Sequence, residues 1–173
     1  RNTLALFEAA RNAGVERIVH VSITGADSTS PREYFSGKGL LENALKASGL
    51  NHAIVRPAVL FGTEDILINN IAWALRRFPV FCLFGDGRYP IQPVYVDDMA
   101  ALMVEQGESR DCVTVDAVGP EDFLYRDLVA MIAKALGLKR RLVSLSPGLS
   151  LRAVTLIGRL VGDVFITKDE IDG

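Results

Sequence analysis

The sequence predicts an α/β chain built around a parallel sheet. Two β-branched runs, Arg17-Ile-Val-His-Val-Ser22 and His52-Ala-Ile-Val-Arg56, are too continuously apolar for a half-exposed strand and read as buried ones. A helical pattern separates them and another precedes them, which is the strand–helix–strand order of a parallel sheet. The 173 residues are 49% hydrophobic and 23% charged, ordinary globular composition with enough apolar mass for a core.

The first helix covers 3–13, with Leu4, Leu6, Phe7, Ala9, Ala10 and Ala13 before a stop at Gly14. After the strand, Thr24 to Pro31 is polar and loop-like. Ser30 then opens a helix that runs to about Ser48, with Gly49 at its end. Ser30 is placed to cap the first turn, Pro31 suits the first helical position, and Glu33 completes a capping box. Tyr34 and Lys38 lie four apart, so phenol and ammonium share one face of this helix. An ammonium beside a phenol favours the phenolate, which suits the pair to moving a proton. Gly37 and Gly39 each cost a helix about 1 kcal/mol against alanine, so something is expected to approach it closely.

Pro57 closes the second strand. Beyond it, Glu64–Phe78 reads as a helix, Val80–Phe84 as a strand and Gly85-Asp86-Gly87 as a turn. Tyr89–Val96 is extended but broken by Pro90 and Pro93. A helix capped by Asp97 runs through Glu105. Val113–Val118 is a strand, Tyr125–Leu136 a helix stopped by Gly137, and Arg141–Leu145 a strand. An apolar helix is expected from Leu149; the tract to Ile166 carries Arg152, Arg159 and Asp163, so it reads as a packed helix rather than a membrane span.

A net charge of −2 offers no general attraction to nucleic acid. Two cysteines, Cys82 and Cys112, and two histidines form no metal-ligand or disulfide pattern. That usage predicts a reducing, cytoplasmic setting. The chain opens on Arg1 inside a helical pattern, so it reads as a piece of a longer protein or one whose head is missing. Several residues have plain structural readings: His20 as a core histidine, Trp73 as core, Asp97 and Asp98 as a helix cap and a surface charge, and Arg76-Arg77 and Lys139-Arg140-Arg141 as solvated ends.

In an open α/β sheet, ligands gather at the carboxyl ends of the strands. Ser22, Thr24, Pro57 and the Tyr34 helix should therefore meet at one crevice. Five stretches in fixed order strengthen that expectation: Thr3–Ser22; Tyr34-Phe-Ser-Gly-Lys38; Ile54-Val-Arg-Pro-Ala-Val-Leu-Phe-Gly62; Gly85-Asp-Gly87 with Val94-Tyr-Val-Asp-Asp-Met-Ala100; and Val118-Gly-Pro-Glu121 leading into the Leu128 helix. Through them, over about residues 1–137, the chain resembles the second half of an extended or atypical short-chain dehydrogenase/reductase, close to the NAD-dependent epimerase/dehydratase group.

The resemblance implies the second half of a doubly wound Rossmann-type sheet in 1–62, and in 63–173 a small mixed α/β substrate lobe with interleaved Rossmann elements. It implies NAD or NADP as cofactor and a hydride transfer at a small organic hydroxyl or carbonyl. Tyr34 would be the acid/base. Lys38 would favour its phenolate and hold the nicotinamide ribose. Thr24 would orient the substrate oxygen, with Ser22 the alternative, and Ser22 would also lie against the cofactor. Pro57, Ala58, Val59 and Leu60 would pass along the nicotinamide through backbone contacts. A homodimer through helices 3–13 and 34–48 is the matching hypothesis.

The glycine-rich turn that cradles the pyrophosphate is absent from the sequence, as is the residue that separates NAD from NADP. Ile91 stands where nucleotide-sugar members often carry an arginine, so a sugar diphosphate is not the expected substrate. The competing reading is a non-catalytic NAD(P)-binding protein, similar to the accessory short-chain-dehydrogenase-like subunit of respiratory complex I or to a redox-sensing regulator. A third is an interaction module that keeps only the scaffold.

Overall fold

The computed structural model describes residues 2–145. The apolar tract from Leu149 lies outside the described residues. The chain divides into two compact units: Arg1–Gly62 with Pro93–Pro120, and Thr63–Gln92 with Glu121–Gly173.

The first unit is a layered α/β structure. Helix α1 (Asn2–Asn12) leads to β1 (Ile18–Val21), α2 (Glu33–Ala47) and β2 (His52–Pro57). Strand β3 (Val59–Phe61) follows, and after the excursion to the second unit come β6 (Pro93–Tyr95), α4 (Val96–Glu108) and β7 (Val113–Ala117). β2 is the middle strand of a parallel sheet ordered β1-β2-β7, with Val21 opposite Val55 and Val55 opposite Val115. β3 and β6 form a separate parallel pair.

The alternation of side chains along β2 explains the layering. Ile54 packs with Phe7 of α1, Leu45 of α2 and Leu50 on one face. Its neighbour Val55 packs with Met99 of α4 and Ala117 on the other, flanked by Val19 and Val21. Both faces of the sheet are covered by helices, so the strands carry apolar residues at successive positions rather than alternate ones. Arg17 ties the start of β1 into the unit. Its guanidinium donates to the Gln106 and Asp111 carbonyls at 2.6 and 2.9 Å and to the Asn51 side chain.

The second unit holds α3 (Ile66–Arg77), β4 (Val80–Phe84), β5 (Pro90–Ile91), β8 (Phe123–Leu124), α5 (Tyr125–Ala135) and β9 (Arg141–Leu145). β4 pairs in parallel with β9 and β5 antiparallel with β8. Asp65 caps α3, accepting from the Ile68 amide at 2.6 Å. Tyr89 and Tyr125 stack with ring centres 5.1 Å apart, and burial pushes the Tyr89 phenol up to about 12.

Two capping expectations are corrected. The Ser30–Glu33 capping box does not form. The Ser30 hydroxyl accepts instead from the Arg32 amide at 3.3 Å, and α2 begins at Glu33 behind an extended Arg32 whose side chain makes no cap bond. A hydroxyl committed two residues on is not available to the first turn of the helix. Asp97 also lies one residue inside α4 rather than ahead of it. Its carboxylate takes the Tyr95 hydroxyl, which raises that phenol.

Candidate active site at the end of the first strand

The ladder between β1 and β2 continues beyond Val21. The Ser22 amide donates to the Val55 carbonyl at 2.8 Å and the Thr24 amide to the Pro57 carbonyl at 3.1 Å. This brings the Thr24 backbone beside Pro57. The chain then turns through Gly25, at φ +73°, and Asp27. The Asp27 carboxylate receives the Thr29 amide at 2.9 Å and its hydroxyl at 2.8 Å; the two bonds hold it below the usual carboxylate range.

Helix α2 lies against this loop. The Asp27 amide donates to the Phe35 carbonyl at 3.3 Å, and a Cβ built on Gly39 would stand 2.2 Å from the Ser28 amide nitrogen. Gly39 is therefore what lets the loop backbone reach the helix. Gly37 has no such neighbour, with no contact for an added Cβ within 4 Å.

That contact sets the face of α2 carrying Tyr34 and Lys38. Lys38 is half-buried and its Nζ donates to the Val21 carbonyl, the last of β1, at 3.5 Å. The same Nζ lies 6.0 Å from the centre of the Tyr34 ring. Tyr34 is 57% exposed and packs edge-on against Phe35. Phenol and ammonium thus stand together at the end of β1, the ammonium anchored to the strand and the phenol open.

Ser22 and Thr24 have different surroundings. Ser22 is buried, and its Oγ donates to Glu42 Oε1 at 2.6 Å. Thr24 is half-buried at the turn. Along β2 and β3, the Pro57 carbonyl takes the Thr24 amide, the Ala58 amide donates to the Ala117 carbonyl at 3.1 Å, and Val59 and Leu60 pair with Pro93 and Val94. Several backbone groups of the 57–60 stretch are thus engaged in the unit itself.

Sequence reasoning passed over Glu42. Its side chain is 3% exposed, yet it receives Arg56 Nε at 2.9 Å, Arg56 Nη2 at 2.6 Å and the Ser22 hydroxyl, with Lys46 Nζ at 3.7 Å. Burial alone would raise this carboxyl. The bonds from Arg56 and Ser22 and the charges of Arg56 and Lys46 outweigh it and hold the group below its ordinary range. The signals available were the spacing Lys38–Glu42–Lys46 and a charged residue inside a buried strand. His20 lies close by, edge-on to Phe7 at 5.4 Å. Its buried Nε2 has no hydrogen-bond partner, and burial, then the Lys38 charge, lower its basicity while Glu42 opposes them.

With this geometry in view, the likenesses to known proteins are informative. Residues 1–70 match a family described as NAD(P)H-binding. A double mutant of the dTDP-glucose 4,6-dehydratase DesIV from Streptomyces venezuelae, solved with NAD and DAU bound, superposes with a TM-score of 0.73 at 23% identity, over 83% of this chain and 52% of that one. The fold is of the Rossmann type.

The mitochondrial NADH dehydrogenase (ubiquinone) 1 alpha subcomplex subunit 9 of Mus musculus is 31% identical over 97% of this chain and 45% of its own length. The subunit of the same name from Arabidopsis thaliana is 31% identical over 72% of this chain and 32% of its own. The chain spans less than half the length of these curated relatives. Among the described residues, no helix is long and apolar enough to cross a membrane. The residues present fit the nicotinamide–ribose half of an NAD(P) site: an anchored ammonium and an open phenol at a strand end. The glycine-rich pyrophosphate turn is not among them.

Proposed function

We propose that the chain is the nicotinamide-side half of an NAD(P)-dependent oxidoreductase or epimerase/dehydratase, with Tyr34 as its acid/base. The observation that carries this reading is the anchoring of Lys38 to the last carbonyl of β1 with its Nζ 6.0 Å from the Tyr34 ring. Held there, the ammonium keeps protons to donate to the hydroxyls of a ribose. NAD(P), when bound, supplies the hydride. Tyr34 moves the proton at the substrate oxygen and Thr24 orients that oxygen. Ser22 stays with Glu42, and Pro57 to Leu60 form the wall beside the nicotinamide. The second unit serves as the substrate lobe. The test is Tyr34→Phe in the full-length protein: turnover falls by about 10²–10⁴-fold while NAD(P)H affinity is kept. Wild-type turnover in the Phe variant ends the acid/base assignment.

A second reading is favoured by the likeness to the two mitochondrial NADH dehydrogenase subunits. The chain would then belong to a non-catalytic NAD(P)-binding accessory subunit of a respiratory NADH dehydrogenase. It calls for tight dinucleotide binding, no turnover, and recovery in a larger complex on gentle purification. Compartment follows the reading. A free-standing reductase, as a monomer or a homodimer, fits the cytoplasm expected from the cysteines, and an accessory subunit goes with its complex.

A further inference from the structure

Glu42 sits one helical turn after Lys38 on α2. Lys38 Nζ reaches the Val21 carbonyl at 3.5 Å and the Glu42 carboxylate takes the Ser22 hydroxyl at 2.6 Å. Successive turns of the helix are thereby tied to successive residues at the end of β1. The same carboxylate is held by Arg56 through two bonds, at 2.9 and 2.6 Å, so it also grips the end of the neighbouring strand. The rest of the grip of α2 on this sheet is apolar, centred on Leu45 against Ile54. Apolar contact is non-directional and leaves a helix some freedom to slide and turn about its axis. A bidentate carboxylate–guanidinium pair has a fixed geometry and removes that freedom.

From this arrangement we infer that Glu42 is a positioning residue for the Tyr34–Lys38 pair: through Ser22 and Arg56 it fixes the rotation and height of α2, and with them the place of the Lys38 ammonium at the cofactor's ribose. The inference deepens the NAD(P) reading above and rests on it. It assigns Ser22 as well. With its hydroxyl given to Glu42, Ser22 is part of the clamp, and Thr24 is the hydroxyl presented at the strand end.

The experiment is a double-mutant cycle on NADH and NADPH affinity in the full-length protein, read by nicotinamide fluorescence. Groups in one network couple, so the loss on changing one depends on whether the other is present. Glu42→Gln should therefore weaken binding about tenfold when Lys38 is present and less than about twofold in a Lys38→Met background. A merely structural role for Glu42 would give equal losses in both backgrounds, and that result, or unchanged affinity in Glu42→Gln, overturns the proposal. Lys38→Met with undiminished affinity would overturn the NAD(P) reading itself, and the clamp's role with it, so the two failures differ. Should Glu42→Gln not fold, Ser22→Ala removes one arm of the clamp and leaves the ion pair. Its expected loss is about threefold, again confined to the Lys38 background, and an equal loss in both backgrounds counts against the clamp.

Discussion

Glu42 on α2 and Arg56 on β2 form a bidentate pair in which the carboxylate is buried, 3% exposed, and the guanidinium is 24% exposed. The asymmetry has an energetic consequence. Removing the arginine strands a buried charge, whereas neutralising the glutamate leaves a cation with access to water.

Arg56→Ala should therefore be the more damaging change, costing roughly 3 kcal/mol. Glu42→Gln should cost clearly less, because the amide keeps a hydrogen-bonding group at the site and Arg56 retains solvent. Urea unfolding of both variants checks this; the reverse order would mean that the carboxylate is not the desolvated partner.

The same pair sets an acid limit. The folded Glu42 value lies below its unfolded one, so its contribution to stability is full above the ordinary glutamate value of about 4.3 and is lost as pH falls through the lowered folded value. The stability gap between wild type and Glu42→Gln should hold at neutral pH and narrow as pH falls below about 4.3. A gap independent of pH would show that the carboxylate is not what the pair depends on.

His20 reports on both charges. Its folded value is also lowered, so the neutral ring is favoured and stability is lost as pH falls below about 6.5. Its NMR titration should have a midpoint below that value. Lys38→Met should raise the midpoint and Glu42→Gln should lower it further, since the two charges act on it in opposite directions. Shifts in one direction for both variants would contradict the placement of one of the two.

The glycines of α2 separate by geometry. Gly39→Ala drives a methyl into the Asp27–Ser28 backbone and should destabilise by about 1–3 kcal/mol. Gly37→Ala meets nothing within 4 Å and should stabilise by about 0.5–1 kcal/mol through helix propensity. Thermal unfolding distinguishes them.

Much of this was legible in the sequence because it rests on local pattern. The strands at 17–22 and 52–56 are observed as Ile18–Val21 and His52–Pro57, since β-branched runs bounded by turn residues specify buried strands. The pairing of glycines announced a close approach to α2, and Gly39 supplies it; Gly37 does not, because only one side of that turn faces the 27–28 loop. Phe7 and Leu45, on the two helices of the homodimer hypothesis, are core residues of this chain at 5% and 0% exposure. The capping box failed for a local reason of its own: the Ser30 hydroxyl had a nearer amide to serve, on Arg32.

Residue pattern by itself determined the order of strands and helices, the buried runs and the spacing of Tyr34 and Lys38, because each depends on neighbours a few positions apart. Only the tertiary structure decided which hydroxyl at the strand end is committed and which charge clamps the helix. Arg56 meets Glu42 across the crossover from α2 to β2, and Ser22 meets the same carboxylate from β1. Those meetings depend on how the helix seats over two parallel strands, which no local spacing encodes.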